Sequence, residues 1–149
     1  MEMEALMDSS KEMTNEKPTT DTLLYEWAKT KYIQYRESPF AEEMNEICTI
    51  YSELIDKQLF FNGRIFYNRM LVYIQQKKYR AALTDLTMFS AMNKEFIVND
   101  PSVAAFLYYK LDRLDSACLA YQNAEYYKKE YDVNYYDQFH LLDTICVSR

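Results

Sequence analysis

The chain has 149 residues and a formal net charge of −6 at pH 7, which fits one globular domain. It contains one glycine, one histidine and 15 tyrosines. A single glycine excludes glycine-rich phosphate loops, and a single histidine excludes metal sites built from several imidazoles. The acidic charge opposes nucleic-acid binding, because neutralising phosphates requires a basic surface. Composition therefore favours a binding protein without a cofactor or metal over an enzyme.

The cysteines and the first residues indicate a cellular compartment. Cys48, Cys118 and Cys146 are widely spaced without a C-x-x-C pair, which predicts buried thiols in a reducing compartment. The N-terminal sequence is acidic where a signal peptide needs basic residues followed by apolar ones. No apolar run reaches the roughly 18 residues that a membrane span needs. We therefore expect a cytoplasmic protein that does not enter membranes.

Residues 1–20 show no sustained apolar stripe and are predicted to form a mobile arm, followed by one helical domain over residues 21–149. In that domain apolar residues recur every three to four positions, the helical period, and no segment alternates with a period of two. The first helix is predicted from the sequence TTDT to Ser38, before Pro39. Six more are predicted at about 40–57, 64–76, 79–92, 100–111, 114–130 and 134–146. The fold class is all-α.

A fixed spacing of 35 residues relates the third and fourth helices to the fifth and sixth. It aligns Tyr73 with Tyr108, Tyr79 with Leu114, Ala82 with Ala117, Leu86 with Tyr121 and Phe89 with Ala124. This order of aromatic, large apolar and small residues resembles the tetratricopeptide repeat. The resemblance covers residues 22–127, with an irregular first copy. It implies a right-handed superhelix of about three helix pairs plus a C-terminal helix. The alternatives are an antiparallel bundle with chance agreement and, less compatible with the acidity, a pentatricopeptide RNA-binding repeat.

The resemblance also implies a binding surface, because the first helix of each pair lines the concave face of such a superhelix. The positions expected there are mostly large and apolar or amphipathic: Tyr32, Arg64, Tyr67, Leu71, Ile74, Phe106, Tyr109 and Lys110. Such a groove suits an extended apolar peptide, and replacing Tyr67 and Phe106 by alanine should then leave the fold intact. The alternative is that several of these side chains belong to the core. The Lys and Asn clamp that some family members use for acidic chain ends is absent.

A narrower similarity concerns the layout of the whole chain. Its length, acidity, N-terminal arm, three helix pairs and trailing helix resemble the class II chaperones of bacterial type III secretion. The segments LLYEWAKTKYIQY and DPSVAAFLYYKL occupy equivalent places. The resemblance implies a virulence-associated chaperone that holds a hydrophobic translocator subunit in the cytosol. The alternative is a tetratricopeptide-repeat adaptor with no role in secretion.

Two further features of the sequence are candidate sites. His140 has Asp137 and Asp143 three residues away on either side, as a general base would require, but no nucleophile is recognisable nearby. We expect His140 to form a pair with an aspartate at the protein surface, and we predict no enzymatic activity. The tyrosine-rich stretch 126–136 is a candidate second contact surface or homodimer contact, although packing of amphipathic tyrosines explains it equally well.

Overall fold

The computed structural model describes residues 16–93, 100–131 and 142–146, and all regular structure within these ranges is helical. Its helices are α1 (Asp21–Tyr35), α2 (Glu42–Asp56), α3 (Arg64–Gln75), α4 (Tyr79–Met92), α5 (Asp100–Lys110), α6 (Leu114–Tyr131) and α7 (Leu142–Cys146), with a 3-10 turn at Phe61–Gly63. The predicted all-α class is confirmed, and the predicted ranges of the first six helices agree closely. Most of the predicted arm, and residues 134–141 of the predicted seventh helix, lie outside the described residues.

The chain divides into two compact units, Met1–Phe61 and Asn62–Arg149, and the predicted domain over residues 21–149 spans both. The first unit contains the hairpin formed by α1 and α2. In this unit the ring of Tyr25 stacks on Phe61 with centroids 3.9 Å apart and lies tilted against Tyr51 at 6.1 Å. The buried residues of the hairpin are Tyr25, Trp27, Ala28, Met44, Ile47, Ile50, Tyr51 and Leu54.

The second unit contains two hairpins, α3–α4 and α5–α6, in which α4 packs against α5 and α7 packs against α6. Two groups of buried side chains hold it together. The first cluster joins α3, α4 and α5 and consists of Met70, Ile74, Ala82, Leu86, Val103, Phe106 and Leu107. The second cluster joins α5, α6 and α7 and consists of Ala105, Cys118, Ala120, Ala124, Leu142 and Cys146. Helix α5 contributes to both, so it lies between the other elements of this unit.

The spacing of 35 residues recurs in the backbone of the second unit. The ends of α3 and α5 are separated by this spacing, as are the starts of α4 and α6. Between α3 and α4, the N–H of Lys78 donates to the carbonyl of Tyr73 at 2.8 Å, and 35 residues later Arg113 donates to Tyr108 at 2.9 Å. Ala82 and Ala117, predicted where paired helices cross, are both fully buried. The two hairpins therefore have the same turn as well as the same sequence spacing.

Among the helices in the described ranges, three end in a left-handed residue that is not glycine. Gln58 after α2, Lys77 after α3 and Asp112 after α5 have φ angles of 63°, 61° and 59°. In the two hairpin turns of the second unit, the next residue donates back across the turn to the third residue from the helix end, which is the Schellman arrangement. This position usually holds glycine, because a β-carbon is disfavoured in the left-handed region.

Gly63 is the only glycine in the chain. Both its backbone conformation and its neighbouring side chains require a residue without a β-carbon. Gly63 precedes α3 with φ 84°, and an added β-carbon would lie 2.5 Å from Nδ2 of Asn93 and 3.0 Å from Cβ of Met92. The same Asn93 amide donates to the carbonyl of Asn62 at 2.6 Å. The absence of a side chain at Gly63 therefore lets the end of α4 approach the start of α3.

Helix α7 is fixed to α6 by covalent and polar contacts. A disulfide joins Cys118 to Cys146 across a sequence separation of 28, and the Tyr121 hydroxyl donates to Oδ1 of Asp143 at 2.6 Å. The prediction of separate thiols is therefore wrong for Cys118 and Cys146, because packing of the short helix α7 against α6 brings their side chains together. Cys48 remains a free thiol and is half-buried.

Replacing Lys77 by glycine should stabilise the second unit by about 0.5–1 kcal/mol, because a left-handed β-carbon costs about 1–2 kcal/mol and the freedom of glycine in the unfolded chain offsets part of this. Asp112→Gly should behave alike. The control is Lys78→Gly, at a neighbouring residue with φ −94° that gains nothing from losing its β-carbon. Urea unfolding monitored by circular dichroism measures the changes, and equal effects at Lys77 and Lys78 would contradict the left-handed assignment.

The disulfide predicts the thiol content of protein prepared without reductant. After denaturation one thiol per chain, Cys48, should react with a thiol reagent, and three should react after reduction. Reduction should lower the free energy of unfolding by about 3 kcal/mol, as expected when a loop of this length is no longer closed. The double variant Cys118→Ser/Cys146→Ser should lose this dependence on reductant. Three reactive thiols before reduction would show that the bond is not formed.

Candidate functional site

Four of the predicted binding residues lie in or against the first cluster, at different depths: Tyr67, Leu71, Ile74 and Phe106. Ile74 and Phe106 belong to the cluster itself and are only 6% and 2% exposed. Tyr67 and Leu71 are half-buried and pack against it from one side. Replacing Phe106 by alanine is thus expected to destabilise the fold by about 3–5 kcal/mol, contrary to the sequence-based expectation for this residue. Ligand access in this region depends on the half-buried residues.

Tyr67 is held in place by an aromatic neighbour on α4. Its ring lies against that of Phe89 with centroids 5.1 Å apart in a tilted arrangement. Phe89 occupies the position at which the repeat pattern expects a small residue, and the equivalent residue of the next hairpin, Ala124, is fully buried. The larger residue in the first hairpin therefore supports an aromatic ring at the edge of the cluster.

Tyr109 and Lys110 lie at the end of α5, beside aromatic side chains of two helices. Tyr109 is half-buried against the second cluster, while Lys110 is exposed. The Lys110 ammonium lies 5.7 Å from the ring centroid of Phe106 and 6.0 Å from those of Tyr79 and Tyr109. These distances fit cation–π attraction. Phe106 also meets the Tyr79 ring edge-on at 5.9 Å. This end of α5 thus combines aromatic surface with a positive charge.

Arg64 and Tyr32 are the two remaining predicted residues. Arg64 is exposed at the first position of α3, and no described contact joins it to the aromatic residues above. Tyr32 is half-buried on α1 in the first unit. Within the second unit, Tyr67 and Leu71 of α3 pack against the first cluster, to which Ile74 and Phe106 belong, whereas Tyr109 packs against the second cluster and Lys110 lies beside Phe106. We refer to these six residues as the α3–α5 surface.

A buried ion pair that the sequence does not predict joins α3 to α4. The Arg69 guanidinium donates from Nε and Nη2 to the two carboxylate oxygens of Asp85 at 2.8 and 2.7 Å. Asp85 is 1% exposed, and its burial raises the pKa of the carboxyl, an effect that Arg69 opposes. Arg69 also lies 5.5 Å from the ring centroid of Tyr73. The residues 35 positions later in the second hairpin are Ala104 and Ala120. The ion pair is therefore not part of the repeated pattern.

The predicted His–Asp site is only partly described. Asp143 accepts the hydrogen bond from Tyr121, whose burial, together with that carboxylate, raises the pKa of the tyrosine. His140, Asp137 and the tyrosines of 126–136 lie outside the residues whose side chains are described. In the described ranges no group of three or more potential metal ligands occurs, and no helix there is long and apolar enough to cross a bilayer.

Comparison with known protein families, with curated proteins and with solved structures finds no match.

Arg69→Ala should destabilise the second unit by about 3 kcal/mol, because it leaves the Asp85 carboxylate buried without its partner. Arg69→Ala/Asp85→Ala should recover at least about 1 kcal/mol of this loss, since no buried charge remains and the next hairpin accommodates alanine at both positions. Urea unfolding of the wild type, the two single variants and the double variant gives the coupling energy. Strictly additive losses would show that the two side chains do not stabilise the fold as a pair.

Proposed function

We propose that the chain is a tetratricopeptide-type chaperone that holds an extended hydrophobic segment of a secreted translocator subunit in the cytosol. The observation that supports this proposal most is the α3–α5 surface, where half-buried Tyr67, Leu71 and Tyr109 present apolar area beside a packed core. Aromatic side chains bind large apolar areas at low entropic cost because they have few rotatable bonds. Binding, not turnover, is the proposed activity.

The repeat arrangement behind this proposal is supported by the two hairpins of the second unit. They share the spacing of 35 residues, the hydrogen-bonded turn and the buried alanine on the second helix. Under the proposal, the α1–α2 hairpin supplies an irregular third repeat, and the first helix of each pair faces the client. Arg64 of α3 is then a further contact at the margin of the groove, and Tyr32 is the contact expected on the first helix of the α1–α2 hairpin.

The physical task of such a chaperone is to cover apolar surface until the client is exported. A subunit that will enter a membrane has apolar segments that aggregate when they are exposed in water. The α3–α5 surface would cover one of them, and the net charge of −6 would keep the complex soluble. Since thiols stay reduced in the cytosol, we expect Cys118 and Cys146 to be a dithiol while the protein acts there.

The experiment is to mix the purified chain with a purified hydrophobic translocator subunit and to follow aggregation by light scattering. The wild type should keep the client soluble, and Leu71→Glu/Tyr109→Glu should lose this ability because two carboxylates would be placed against apolar client surface. Circular dichroism must show that this variant remains helical. Loss of the helical signal would instead place both residues in the core and remove the proposed groove.

The matched control is Leu119→Glu, which introduces the same charge at a leucine of α6 that is 62% exposed and outside the α3–α5 surface. This variant should protect the client as well as the wild type does. Equal loss in both variants would contradict a localised site. Capture of many unrelated proteins, without any membrane-active secreted protein among them, would favour the alternative of a general repeat adaptor.

A further inference from the structure

A cation-lined cleft lies at the turn between α3 and α4. Lys77, Lys78 and Arg80 fall within four consecutive positions and are all exposed. The cleft is open to solvent, has a volume of about 670 Å³ and is lined by Lys77, Lys78, Tyr79, Arg80, Ala81, Thr84 and Leu111. It therefore combines residues of the first hairpin turn with one residue from the turn of the next hairpin.

The charge of the cleft opposes that of the chain as a whole. Three of its seven lining residues are cationic and none is acidic, whereas the whole chain has a net charge of −6. The Lys110 ammonium, 6.0 Å from the Tyr79 ring centroid, adds a fourth positive charge nearby. Within the described ranges no carboxylate forms an ion pair with Lys77, Lys78 or Arg80. These cations remain available to a ligand as far as the described residues show.

We propose that this cleft binds an acidic peptide segment of a partner protein that carries one aromatic or large apolar side chain. The apolar side chain would lie against Tyr79 and Leu111, and the flanking carboxylates would face Lys77, Lys78 and Arg80. The wall of the cleft is mostly apolar. A purely ionic ligand would leave this apolar area in contact with water, whereas an apolar side chain would cover it. Its volume lies within the range of about 300–1,000 Å³ typical of ligand sites, and its open shape suits a chain that passes across it.

Charge complementarity favours a short acidic peptide over other polyanions. A nucleic acid needs an extended basic surface, and an anionic bilayer would contact much more of the molecule than one turn. Either would meet the excess of carboxylates implied by the net charge of −6. A peptide of a few residues contacts only the cleft. The site differs from the α3–α5 surface, with Lys110 at their border, so the proposal does not depend on the chaperone function.

The test uses a fluorescein-labelled ten-residue peptide with glutamates on both sides of a central phenylalanine, and fluorescence anisotropy with the full chain. Binding should saturate and weaken as salt is added. Lys78→Glu/Arg80→Glu should weaken it at least about tenfold, which corresponds to about 1.4 kcal/mol. For the single variant Lys78→Glu the matched control is Arg113→Glu, because Arg113 occupies the same position in the next turn and does not line the cleft. It should change affinity less than about twofold.

Two altered peptides separate the apolar and ionic contributions. Replacing the phenylalanine by serine, or the glutamates by glutamines, should each weaken binding at least about tenfold. Equal affinity for the serine peptide, equal loss in Arg113→Glu, or comparable binding of anionic vesicles or single-stranded DNA would overturn the proposal. If the glutamate variant does not fold, Lys78→Gln/Arg80→Gln replaces it. Leu71→Glu/Tyr109→Glu should retain peptide binding, so failure of the chaperone proposal is distinguishable from failure of this one.

Discussion

Each hairpin of the second unit depends on one completely buried alanine of its second helix. Ala82 on α4 and Ala117 on α6 are fully buried. At each hairpin turn, the N–H of the alanine donates to the carbonyl of the residue four positions earlier. A larger side chain at either position would push the helices apart, because the interaxial distance is set by side-chain size at the contact. The fixed turn then determines which residues of the first helix face the second. The same constraint therefore acts on both hairpins and produces the repeated spacing.

The two hairpins solve the remaining packing problem differently. Around its alanine the α3–α4 hairpin places the Arg69–Asp85 pair and the ring of Phe89, whereas the α5–α6 hairpin has alanines at all three equivalent positions. The smaller residues of the second hairpin leave room for α7, whose Leu142 and Cys146 enter the second cluster. In the first hairpin the larger side chains of Arg69, Asp85 and Phe89 fill the equivalent space themselves. The repeat therefore sets the backbone, and the residues that differ determine whether another element can pack on it.

The periodicity of apolar residues was sufficient to predict the helices, because each one buries a continuous face and ends at a recognisable turn. The spacing of 35 predicted that Ala82 and Ala117 occupy equivalent positions, and both are buried, since the spacing reports on local geometry that is repeated along the chain. It did not predict the depth of Ile74 and Phe106, because burial depends on which helices meet across a cluster and not on the face of one helix. The Arg69–Asp85 pair and the Cys118–Cys146 bond were missed for the same reason, since both join residues of different helices.

The distribution of charge and aromatic area along the hairpin separates two kinds of recognition. Tyr67 and Leu71 lie along the side of α3, where a ligand would be held mainly by the removal of apolar surface from water. Lys77 and Lys78 lie at its end, where the chain must turn and where long cationic side chains can remain hydrated. An apolar segment would gain little binding free energy from the charged turn between α3 and α4. An acidic segment is repelled by the net negative charge of the chain but attracted by the cations of this turn. Under the two proposals above, the same hairpin would therefore discriminate between ligands by position, without any change in its backbone.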